Sequence, residues 1–79
     1  MPTQKEIDEE QKKINYLRTV VDLTAALLRQ GDTTVVEALH LIRITRQHVL
    51  TLFPDKAATY DLIYKPRFTR ILMERFSLN

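Results

Sequence analysis

Polar and apolar residues change their spacing midway through the first thirty positions of the chain. From Gln4 to Lys13, Ile7 is the only large apolar residue, and Lys5 with Glu9, Asp8 with Lys12 and Glu9 with Lys13 stand one helical turn apart. Pairs at this spacing support a solvated helix by about 0.2 to 0.5 kcal/mol each. From Ile14 to Leu28 the pattern reverses. Ile14, Tyr16, Leu17, Val20, Val21, Leu23, Leu27 and Leu28 cover about 200° of a helical wheel, twice the roughly 100° stripe of a helix with one neighbour. This half is predicted to touch at least two other helices. On its opposite face lie Asn15, Arg18, Asp22 and Arg29, which makes Asp22 a solvated partner of Arg18 one turn earlier.

Local signals bound the elements. Thr3-Gln4-Lys5-Glu6 matches the capping box that opens a helix, and no breaker follows until Gly31, the only glycine, placed where a helix end calls for a left-handed backbone angle. The first helix is predicted over 4–30, about 40 Å long. Thr34-Val35-Val36-Glu37 repeats the capping box directly after Gly31-Asp32-Thr33, which predicts a tight turn and an antiparallel second helix over 35–52. Phe53-Pro54 ends it, because a residue before proline avoids helical angles. Its inward stripe reads Val35, Leu39, Ile42, Val49 and Phe53, flanked by Ala38 and Leu52.

Beyond it, Asp55 is placed to cap a third helix over 56–64, with Ala57, Tyr60, Ile63 and Tyr64 on one side. Pro66 suits the first turn of a fourth over 67–76, with Phe68, Ile71, Leu72 and Phe76 inward. A single helix kinked at Lys65-Pro66 is the alternative. The chain has no internal repeat and no linker. The predicted fold is therefore one all-α domain, a small antiparallel three- or four-helix bundle with a long N-terminal helix.

Composition narrows what can hold this fold together. With 79 residues, 44% of them hydrophobic and 28% charged, the chain is globular but near the lower size limit for a self-sufficient core. Without cysteine there is no disulfide, and two histidines cannot by themselves build a structural zinc site. Helix packing and self-association remain. No apolar run approaches the roughly 20 residues that span a bilayer, and the acidic start is unlike a secretory signal, so the expected location is the cytoplasm, with no membrane partner.

Candidate chemistry is sparse. Glu37-Ala38-Leu39-His40 has the Glu-x-x-His spacing of di-iron bundles, but such a site needs two copies of the motif and further carboxylates, and Glu37 already serves a cap. His48 has no acidic neighbour in register and reads as an exposed histidine. One serine near the chain end, Ser77, no cysteine and no phosphate-cradling glycine loop leave no nucleophile of note. The expectation is a protein without enzymatic activity, cofactor or metal.

Arg46 interrupts the apolar stripe of the second helix, between Ile42 and Val49. It is expected to lay its methylenes on the core and send its guanidinium to a carboxylate such as Asp61 or to a tyrosine hydroxyl, or else to serve as an anion or partner contact. Charge is uneven: five Lys/Arg against seven Asp/Glu up to Ile42, then seven against three. Five of the six aromatics lie from Phe53 to Phe76 among Lys56, Lys65, Arg67, Arg70 and Arg75. Most of these aromatics fall on inward stripes, with Arg70 one turn from Glu74, so core plus solvated face is the simpler account. The leading expectation is a protein–protein interaction module that binds a protein partner or itself as a homo-oligomer. The second is a small nucleic-acid-binding regulator using Lys65, Arg67 and Arg70.

Overall fold

Thr3 and Thr34 start the two long helices in the same way. Each has extended backbone angles, and its hydroxyl accepts the backbone N–H three residues on, from Glu6 at 3.2 Å and from Glu37 at 3.1 Å. The two glutamates turn back onto the cap hydroxyls, which donate to Glu6 Oε1 at 3.3 Å and Glu37 Oε1 at 3.0 Å. In the usual capping box the glutamate instead takes the cap's backbone N–H. In the computed structural model, which describes residues 1–76, these caps open α1 (Gln4–Leu28) and α2 (Val35–Leu52). A 3-10 turn (Pro54–Lys56) then leads into α3 (Ala57–Thr59), a π-helical turn (Tyr60–Tyr64) and α4 (Lys65–Phe76).

The last three elements form one uninterrupted rod, so the bundle has three helical bodies rather than four, with α1 the longest. Pro66 does not start a new helix. In a regular helix its ring would crowd the carbonyl of Leu62 and leave it without an N–H partner. The wide turn just upstream, in which the Lys65 N–H reaches the Tyr60 carbonyl five residues back, re-spaces those carbonyls and lets the rod continue. It also shifts which residues face inward. Tyr64 comes round beneath Tyr60, with ring centroids 6.0 Å apart, while Leu62 and Ile63 are 78% and 57% exposed. Ile63, expected on the inner side, is therefore outside.

Three further expectations are corrected. The first helix stops at Leu28, two residues early, with Arg29 as a right-handed cap; Gly31 does not hold a left-handed angle, and a Cβ there would meet open space. Asp55 caps nothing: neither the 3-10 turn nor α3 has a side-chain cap, and the nearest cation to its carboxylate, Lys56 Nζ, is 3.9 Å away. The inner stripe of α2 is centred on Ala38, Thr45 and Val49, leaving Leu39 and Leu52 half exposed. Small residues at 38 and 45 let α1 and α2 approach closely, and Thr45 is accommodated because Thr24 faces it at 3.0 Å. Thr24 commits its one proton to the Val20 carbonyl at 2.9 Å, so Thr45 is the donor between them.

The core lies where the three bodies meet. Leu17, Val21, Ala25 and Leu28 come from α1, Ala38 and Val49 from α2, Phe53 from its C-cap, and Tyr60, Phe68, Ile71 and Leu72 from the rod. Polar contacts tie the rim. Lys56 reaches Glu10 at 2.7 Å, bracing α1 at the base of its polar half. Arg75, in the last turn of α4, donates to the carbonyls of Leu28 at 2.7 Å and Thr33 at 2.8 Å, closing the C-terminal end of α1 and the loop beyond it.

Candidate functional site

The four cations singled out from the sequence do not converge. Arg46 forks onto Asp61, Nε to Oδ1 and Nη2 to Oδ2, both at 2.9 Å. Both side chains are a little under half exposed, so the guanidinium does lie on the core edge and meet the expected carboxylate. The hydrogen bonds from Arg46 hold the Asp61 carboxyl below the usual range, helped by the nearby charge of Lys65, and the same bonds raise Arg46.

Arg67 lies on the α1 side of the rod, where its Nη1 meets Asp22 Oδ1 at 2.8 Å. Asp22 is thus bridged to α4, not to Arg18 within its own helix. Lys65 faces the Asp61 side and Arg70 points outward; neither makes an ion pair among the described residues, and Arg70 does not pair with Glu74. Of the seven cations from Arg43 on, Arg46, Lys56 and Arg67 meet carboxylates and Arg75 meets backbone carbonyls, while Arg43, Lys65 and Arg70 make no ion pair among the described residues.

The metal and nucleophile motifs resolve into structural roles. Glu37 is held by Thr34, and among the described residues no three His, Asp or Glu side chains gather as a metal site would require. Ser77 lies outside the described residues. His48 is not isolated: its Nε2 is 3.0 Å from the Tyr16 hydroxyl across the α1–α2 seam, a pairing 32 residues apart that no local pattern signals.

What the fold leaves uncovered is an apolar face. The wide arc of α1 touches two neighbours as expected, with Leu17, Val21, Thr24, Ala25 and Leu28 buried against α2 and α4. Its outer flank is not used up. Tyr16, Val20, Leu23 and Leu27 recur at the four-three-four spacing of a helix seam, and Leu23 is 61% exposed. Beside them α2 carries Glu37, Leu41, Ile44 and His48 at the same spacing, with Ile44 46% exposed. At the Leu27 end of these stripes lies an open groove of about 320 Å³, where Leu27, Leu41 and Ile44 meet the polar side chains of Gln30, Thr33, Glu37 and His40. A second hollow, about 430 Å³, lies on α1 around Ile7 and Ile14.

Comparison of the chain with protein-family models, with curated proteins and with solved structures returned no significant match. No helix among the described residues is long and apolar enough to cross a membrane.

Proposed function

We propose that the protein is a non-enzymatic interaction module of the cytoplasm whose working surface is the outer face of the α1–α2 hairpin. The observation that carries this reading is the pair of helix-spaced stripes on adjacent helices, Tyr16-Val20-Leu23-Leu27 and Leu41-Ile44, in which Tyr16, Leu23, Leu27 and Ile44 are exposed and Val20 and Leu41 are partly buried among the described residues. Contiguous exposed apolar surface with a polar border is what helix-in-groove recognition uses. The spacing of both stripes fits a helical occupant. Affinity capture from the native cell, run in parallel with the wild-type chain and with Leu23→Lys and Ile44→Glu variants, tests it. A protein retained by the wild type and lost by both variants supports the reading. Retention unchanged by the variants sinks it.

The nucleic-acid reading keeps Lys65 and Arg70 on the surface, while Arg46 and Arg67 already have carboxylates. Its test is a gel-shift series in rising salt. Binding through phosphates weakens steeply with salt and is lost in Arg67→Glu/Arg70→Glu; no shift at low salt removes it.

A further inference from the structure

We infer that the occupant of the hairpin groove is a second copy of this chain, related by a two-fold axis that crosses α2 midway between Leu41 and Ile44. The inference rests on the interaction-module reading and specifies its partner. A two-fold contact is isologous: whatever one copy presents on one side of the axis, it must accept on the other. The outer stripe of α2 meets that condition. Glu37 and His48 stand at equal separations from the Leu41–Ile44 midpoint, about 8 Å to either side along the helix. One end carries a carboxylate, the other an imidazole, and Leu41 and Ile44 fill the middle.

Antiparallel pairing about that axis brings Glu37 of each copy to His48 of the other and packs Leu41 against Ile44. Both polar ends are already oriented from within. Thr34 holds Oε1 of Glu37, leaving Oε2 without a hydrogen bond within the described chain. Tyr16 lies 3.0 Å from Nε2 of His48, which leaves Nδ1 without a hydrogen bond among the described residues. His40 borders the same groove, and no Lys, Arg or Asp lines it. The axis also sets α1 antiparallel to its own copy near Leu27, so Leu23 and Leu27, otherwise solvated, enter a four-helix layer in which neighbouring helices run antiparallel.

Sedimentation equilibrium of the full chain from about 10 μM to about 1 mM, a range that brackets the weak end of specific association, is the test. The expected result is a dimer of twice the 9.3 kDa chain mass. Leu23→Lys and Ile44→Glu, both at exposed positions, are expected to sediment as monomers with unchanged helical circular dichroism. Glu37→Lys and His48→Glu are each expected to weaken the dimer about tenfold, and Glu37→Lys/His48→Glu to recover it, because the lysine of one copy then meets the glutamate of the other across the axis. A wild type that stays monomeric at the highest concentration overturns the inference, as does a dimer indifferent to Ile44→Glu or a double variant no tighter than the single ones. A monomeric wild type that still captures another protein through Leu23 and Ile44 overturns this inference alone; a monomer with no such capture overturns the interaction-module reading as well.

Discussion

Thr45 on α2 donates its hydroxyl to Thr24 on α1, 3.0 Å away, with both side chains buried between the two helices. Because Thr24 spends its own proton on the Val20 carbonyl, the pair leaves no buried donor unmet. Thr45→Val keeps the shape and removes one hydrogen bond, so it is expected to destabilise by about 1 kcal/mol. Thr24→Val/Thr45→Val is expected to lose less than the sum of the single changes. Urea melts of the four proteins, read as a double-mutant cycle, measure that coupling.

Arg75 is the cation on which the end of the first helix depends. Its guanidinium serves two carbonyls, Leu28 and Thr33, and stacks 4.7 Å over the Phe76 ring. Arg75→Ala is expected to cost about 1 to 2 kcal/mol, since hydrogen bonds from a charged donor are lost while the carbonyls stay partly buried. Arg70→Ala, one turn away and outward, is expected to leave stability unchanged. Thermal unfolding of the two variants compares them directly.

Tyr60 has a core position and a hydroxyl with no hydrogen-bond partner among the described residues. Tyr60→Phe is therefore expected to raise stability, by about 1 kcal/mol. Burial pushes the Tyr60 hydroxyl up from 10.0 to about 12. The folded state then holds a proton that the unfolded state releases, so the protein is fully stabilised below pH 10 and loses stability as pH climbs toward about 12. Subtracting the alkaline stability profile of Tyr60→Phe from that of the wild type isolates this residue from Tyr16 and Tyr64.

Gly31 sits in the α1–α2 loop without a left-handed angle and with free space at its Cβ position. Gly31→Ala is expected to stabilise by about 0.4 to 1 kcal/mol by restricting the unfolded chain. A melting temperature lowered by the substitution would contradict the backbone geometry described above.

Local chemistry was legible in the sequence; long-range polar pairing was not. The two Thr-x-x-Glu boxes and the Phe53-Pro54 stop act within four residues, and the helices begin and end there as their chemistry dictates. The fork of Arg46 on Asp61 was legible too, because an arginine inside an apolar stripe demands a carboxylate nearby. By contrast, Thr24 and Thr45 look like surface residues until the helix between them turns back. Asp22 had Arg18 one turn away, yet it meets Arg67, 45 positions on. The wide turn at Tyr60 was hidden for another reason: helical periodicity assumes one residue spacing throughout, and Pro66 drew the break to itself.

The Lys56–Glu10 contact makes α1 a cantilever with a defined support. Beyond Glu10 the six helical residues 4–9 extend about 9 Å, and among the described residues their side chains hydrogen-bond only within α1 and its cap. Lys56 ties the Glu10 carboxylate to the 3-10 turn, while α1 itself runs on into the core through Leu17 and Val21. The overhang is a projecting arm carried by the α1 backbone, with Lys56 as a brace near its root.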